Sequence, residues 1–96
     1  MEADLICSFQ HKGLRLFYET GSLQGIQAKH AGRLKRILML LDVAKRPRDL
    51  QIDSFRLHRL KGAESETWSI WVSGNWRVTF RFHESDVELV NYVDYH

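Results

Sequence analysis

The chain closes on Asp94-Tyr95-His96, a carboxylate, a phenol and an imidazole in consecutive positions. An imidazole exchanges a proton near neutrality, with an ordinary pKa of about 6.5, so a histidine beside these two groups is equipped for acid/base work. His58, within Arg56-Leu57-His58-Arg59-Leu60, is a second imidazole that could complete a proton donor and acceptor pair. A plainer account stands beside this one: chain ends are often disordered, tyrosines anchor cores, and a strand histidine is usually just a hydrogen-bonded side chain. Neither a cysteine nor a further histidine stands near the tail at metal-ligand spacing, so neither a metal nor a cofactor is expected. Arg77 and Arg81, with Thr79 between them, form a cationic row that suits phosphate contact, though the pattern alone favours an ordinary solvated face.

These groups need a scaffold, and the stretch around them reads as sheet. Trp68, Ile70 and Val72 alternate with polar neighbours, as do Trp76, Val78, Phe80 and Phe82, and Ser73-Gly74-Asn75 supplies a tight turn between the two runs. This spacing predicts a β-hairpin with one apolar face and Arg77 and Arg81 on the reverse. Trp71 is the one tryptophan on the polar side; Trp68 and Trp76 continue apolar faces and are expected in the core. His83-Glu84-Ser85-Asp86 predicts a turn and 87–93 a last strand. Strict alternation along it puts Glu88, Val90, Tyr92, Asp94 and His96 on one side, with Val87, Leu89, Asn91, Val93 and Tyr95 on the other. Asp94 and His96 would then reach the cationic face together, and Tyr95 would join them only through a twist or bulge.

Towards the N-terminus, Met1 to Asp4 is polar and expected to fray. The apolar run 5–9 predicts a first buried strand, with Cys7 as a small core residue. Leu14, Phe17 and Tyr18 recur at helical spacing before Gly21, a natural helix stop. Gly21-Ser22-Leu23-Gln24-Gly25 lacks the Lys-Ser/Thr of a phosphate-cradling loop and reads as a connector. A second helix is expected from about Gln27 to Ala44, with Ala31, Leu34, Ile37, Leu38 and Leu41 on one face and Pro47 ending the element. Leu50 and Ile52 suit a loop or one helical turn against the core. The order is β-α-α-β-β-β, an α+β domain with two helices on one face of an antiparallel sheet.

A length of 96 residues with 44% hydrophobic content suffices for a single domain over residues 1–96, stabilised by its own core. The formal charge is only +2, but it is unevenly placed. Lys29, Arg33, Lys35, Arg36, Lys45, Arg46 and Arg48 face the single acid Asp42 in their stretch, whereas Glu84, Asp86, Glu88 and Asp94 crowd the end. This asymmetry points to a polyanion, with nucleic acid the natural candidate. One cysteine permits no internal disulfide, and neither a signal peptide nor a membrane-spanning apolar run is present, so a soluble, cytoplasmic protein with no membrane partner is expected. No GxGxxG, GxSxG, CxxC or HExxH pattern occurs, which removes dinucleotide, serine-hydrolase and structural-zinc chemistry as sharp options.

Three segments carry a resemblance: 55–62, FRLHRLKG; 68–80, WSIWVSGNWRVTF; and 91–96, NYVDYH. Together with Phe9-Gln10-His11-Lys12-Gly13-Leu14 and Glu19-Thr20-Gly21 they resemble HigB toxins, especially the GraT-like branch, within the RelE/ParE superfamily. The resemblance covers nearly the whole chain. It implies a RelE-like fold, a type II toxin that cuts mRNA on the ribosome and inhibits growth, and a HigA-like helix-turn-helix antitoxin through which alone operator DNA would be bound. It places activity on His58, Asp94, Tyr95 and His96, and lines their cleft with the basic residues Lys61 and Arg77. Arg81 extends that phosphate-binding row. Arg59 stands where the family usually has proline, and Val93 where an acid is common, but neither change removes a functional group. Two rival readings stand beside this one: a ParE-like gyrase poison without nuclease activity, and a nonenzymatic nucleic-acid-binding regulator.

Overall fold

The computed structural model describes residues 5–95. The expectations for Met1 to Asp4 and for His96 lie outside the described residues.

Helix α1, Lys12–Thr20, starts where the His11 ring nitrogen Nδ1 accepts the Leu14 backbone N–H at 2.9 Å. A ring nitrogen here does what an oxygen does at most helix starts, which is to satisfy an orphan donor of the first turn. The helix stops at Gly21, whose φ of 81° is easily adopted without a side chain and whose N–H returns to the Phe17 carbonyl at 2.8 Å. Helix α2 spans Ala31–Val43 and buries Leu34, Ile37, Leu38 and Leu41, the face expected from their spacing. Its start is later than Gln27, because a 3-10 turn over Ala28–His30 comes first, with the His30 N–H bonded three residues back to Gln27. Its end is also earlier than Pro47 requires: Ala44 turns extended, and Pro47 instead opens a separate 3-10 turn, where its missing N–H costs nothing. That turn delivers Leu50 into the core.

The sheet has four antiparallel strands in chain order: β1, His58–Arg59; β2, Thr67–Ser73; β3, Trp76–His83; and β4, Asp86–Asp94. The β2–β3 hairpin has the expected apolar face, with Ile70 opposite Val78 and Trp68 opposite Phe80. Gly74 takes the positive φ of its turn. Ile70, Val72, Val78, Phe80, Val87, Val90 and Tyr92 pack with the buried helix residues into one core, and Trp68 and Trp76 are partly buried against it.

Three expectations are corrected. The segment 5–9 forms no regular strand. It runs beside β4 through a single parallel bridge between Phe9 and Val90, supported by Cys7 N–H to Val87 O (2.8 Å) and Val90 N–H to Ser8 O (3.1 Å). Leu89, at φ 55°, breaks the ladder there, and its N–H turns to the Ser8 hydroxyl at 2.9 Å. The fourth strand is instead the two-residue β1. Cys7 is exposed rather than in the core, since so short a pairing leaves this side of the segment uncovered. Finally, strict alternation along β4 fails at the same bulge, where the register jumps from Thr79 opposite Asn91 to Arg81 opposite Glu88. Val87 and Val90 therefore both face the core, and Glu88 joins Arg81 on the reverse face.

Candidate active site

The strand register lays the reverse face out as a grid. Cross-strand partners in an antiparallel sheet share a face, so His58, Ser69, Thr79 and Asn91 form one row from β1 to β4. The next row towards the hairpin turn holds Trp71, Arg77 and Val93. Beyond it, the Tyr95 N–H bonds the Asn75 carbonyl at 2.9 Å, which ties the chain end to the hairpin turn. At strand spacings of ~4.8 Å, His58 lies roughly 14 Å across the row from Asn91 and about 12 Å diagonally from the Arg77 backbone. Two long side chains can close much of the latter gap around a phosphate.

His58 is exposed, and its Nδ1 lies 3.3 Å from the Arg56 carbonyl oxygen. A carbonyl can only accept, so Nδ1 carries the proton of this contact and the neutral ring keeps its lone pair on Nε2. Arg77 places Nη1 3.0 Å from the Gly74 carbonyl and 3.1 Å from that of Trp76, which holds the guanidinium at the turn. Arg81 faces Glu88 at 3.8 Å, a pair too long for a hydrogen bond. Lys61 is exposed just after β1 and precedes a 3-10 turn over Gly62–Glu64.

The β4 bulge decides where the tail residues fall. Tyr95, 44% exposed, follows Asn91 and Val93 on the open face, where it lines a cavity of about 420 Å³ with Thr79, Arg81 and Asn91. Asp94 instead pairs with Trp76, whose ring stacks on buried Tyr92 at 4.4 Å. The expected grouping is thus reversed: Tyr95 faces the cations and Asp94 stands at the rim of the opposite side. His58, Lys61 and Arg77 do not line that cavity, whose walls also carry Glu64 and Glu66. Arg77 and His58 belong to the more open, more cationic part of the face.

The same face is less wet than alternation implied. Ser69 is fully buried and Thr79 nearly so, because short side chains in central strands lie beneath the long residues beside them. Sequence reasoning also missed Arg56. Its guanidinium carbon lies 4.1 Å from the centroid of the Trp71 ring, and the residue adopts a left-handed φ of 47° that no spacing rule announces. A second missed constellation sits on the core side. His30 is 3% exposed and its Nδ1 lies 2.6 Å from the Tyr92 hydroxyl, which also accepts the Gln27 N–H at 3.3 Å. Burial, with help from the Lys29 charge, pulls the His30 pKa below 6.5, and burial pushes the Tyr92 phenol upward. Both groups are therefore held uncharged, and they share one short hydrogen bond. Asp42, the lone acid of the basic stretch, is likewise structural: it accepts from the Ile6 N–H and from the Tyr18 hydroxyl, whose pKa is pushed to about 12, by burial first.

Over residues 7–96 the chain matches the family model of HigB-like toxins, described as the RelE-like toxin of the type II toxin-antitoxin system HigB. The relative named Endoribonuclease HigB, from Proteus vulgaris, is 41% identical over 92 residues, which covers 96% of this chain and 100% of the relative. None of the described helices is long and apolar enough to cross a membrane. With two helices packed on a four-stranded antiparallel sheet and a match that begins within the first ten residues and runs to the end, this chain belongs to the HigB-like family of RelE-like toxins, and such a toxin implies an antitoxin partner.

Proposed function

We propose that this toxin is a ribosome-dependent mRNA endoribonuclease that needs no metal and uses the open face of its sheet. The observation that carries the proposal is His58: its Nδ1 is anchored on the Arg56 carbonyl and its Nε2 points away from that anchor, in a row one step from Arg77. The name of the Proteus vulgaris relative supports nuclease chemistry over gyrase poisoning or passive binding.

His58 Nε2 takes the proton of a ribose 2′-OH, whose oxygen attacks the adjacent phosphorus. The bond from phosphorus to the 5′-oxygen breaks, and that oxygen receives a proton from His96 or Tyr95. The products are a 2′,3′-cyclic phosphate and a 5′-hydroxyl, and base and acid together are worth about 10² to 10⁴-fold. Arg77, Lys61 and Arg81 balance charge on the nonbridging oxygens, and Asp94 orients the tail. Requiring the 2′-OH makes RNA the substrate.

The grid spreads its groups over a wide shallow surface, so the ribosome would supply the geometry that the toxin alone does not. A HigA-like helix-turn-helix antitoxin would cover the helix side, where Met39 and Val43 of α2 are more than half exposed, and would carry the complex to operator DNA. The test is to map message 5′ ends after brief expression and to compare ribosome-bound with naked RNA. Cuts inside translated regions, on ribosomes and scarcely on naked RNA, are expected; equal cleavage of both would remove ribosome dependence. Binding to ribosomes should also fall steeply with salt as phosphate contacts release counterions.

A further inference from the structure

Trp71 is the tryptophan on the polar side of the hairpin, and the cleavage steps above leave it without a task. Three contacts hold it in place. Its indole N–H donates to the Gly74 carbonyl at 2.9 Å, the same oxygen that Arg77 uses. Its own carbonyl, left unpaired because β1 reaches only Trp68 and Ser69 on β2, receives Nε and Nη2 of Arg33 from α2 at 3.1 and 2.9 Å. Above its ring lies the Arg56 guanidinium, 4.1 Å from the centroid. On the sheet Trp71 pairs with Arg77, so the Arg56 guanidinium above its ring lies beside the row of Arg77. The left-handed backbone at Arg56, φ 47° and ψ 47°, is costly for a residue with a side chain and is kept here where it lays a planar cation on an indole. Arg56 is exposed. It also borders an open depression of about 460 Å³ with Gln51, Ile52, Asp53 and Leu57, so its neighbourhood has room for a ligand.

We propose that Arg56, held over Trp71, is a stacking platform for a nucleobase flanking the scissile phosphate, and that it helps select which message positions are cut. RNA bases that are unstacked from their neighbours are received on aromatic and guanidinium planes, and an arginine offers both a plane and a charge. Burial first, and then the charges of Arg36 and Arg56, hold the Arg33 guanidinium below its ordinary pKa, a crowding of cations that a nearby phosphate relieves. One residue thereby serves two ends: its side chain stacks the base while its carbonyl orients His58.

This proposal rests on the open face being the RNA-cleaving face, and the test separates the two. Ribosome-bound messages are cut by the wild type, Arg56→Lys, Arg56→Gly and His58→Gln, with cut positions read by sequencing and fold monitored by melting. Lysine keeps the charge and loses the plane; glycine loses both but accepts the left-handed backbone, so it folds. Both Arg56 variants should lose roughly tenfold in kcat/KM, the scale of one base-stacking contact, and should redistribute cuts among positions. Wild-type rates and positions in Arg56→Lys, with His58→Gln inactive, would overturn the platform and leave the nuclease standing. A slower Arg56→Lys with an unchanged distribution of cuts would assign the residue to holding His58 alone and would also overturn it. A fully active His58→Gln would remove the RNA-cleaving face and the platform with it.

Discussion

The two faces of the sheet treat a histidine in opposite ways. On the helix side, His30 is closed off, shares a hydrogen bond with the Tyr92 hydroxyl at Nδ1 and is held neutral by burial, with its Nε2 buried and without a hydrogen-bond partner among the described residues. On the open side, His58 has one anchoring contact at Nδ1 and an exposed ring. Both rings are held through the same atom, but only the second leaves the other nitrogen accessible to a substrate. Fixing one nitrogen sets the tautomer, and exposure decides whether the remaining nitrogen supports packing or chemistry.

Substitutions on the two faces should therefore separate activity from stability. The largest activity effect is expected at His58→Gln: cleavage should fall by about 10² to 10⁴-fold, with melting unchanged. Unaltered cleavage would mean that the wrong face has been chosen. Arg77→Gln should cost on the order of 10²-fold in cleavage, as charge on the transferring phosphate loses its nearest partner. Since Arg77 also fastens the Gly74 turn, its melting must be measured alongside, and a loss confined to stability would deny it the phosphate role.

The core-side histidine should behave in the opposite sense. His30→Ala empties a buried site and strands the Tyr92 hydroxyl, so it should cost about 2 kcal/mol or more in stability while cleavage per folded molecule stays at the wild-type level. Its pH dependence has a definite sign. The folded pKa of His30 lies below the unfolded value of 6.5, so the unfolded chain binds more protons in acid. Its contribution is fully present above about pH 6.5 and is lost as the pH falls through the lower folded value. His11, whose pKa burial also lowers and whose lone pair caps α1, works in the same direction. Wild-type melting should drop between pH 7 and 5, and His30→Ala should flatten part of that slope; an equal slope in both would contradict the buried neutral pair.

How much of this was legible in the chain depends on how local the determining contact is. The hairpin was readable because alternation and Gly74 act within a few residues, and so were the end of α1 at Gly21 and the buried face of α2. The bulge at Leu89 was not, because it depends on Ser8, 81 residues away, taking the Leu89 N–H. That one contact moved Tyr95 onto the cationic face and Asp94 off it. The His30 and Tyr92 pair spans 62 residues and is equally invisible to spacing, as is the Arg56 and Trp71 stack, which needs a backbone conformation unusual for arginine. Cys7 illustrates the converse error: an apolar neighbourhood in sequence suggested burial, while the pairing that would have buried it is a single bridge. The smallest effect is accordingly expected at Cys7→Ser, within about 0.5 kcal/mol of wild type and with full activity, as for other exposed positions.

The claim that the open face delivers a base to a ribose hydroxyl is tested most directly by removing that hydroxyl. A ribosome-bound message carrying one 2′-deoxynucleotide immediately 5′ of a mapped cut should remain whole at that position and be cut normally at other sites, with 2′,3′-cyclic phosphate and 5′-hydroxyl ends. Cleavage at the deoxy position at the wild-type rate would contradict the mechanism.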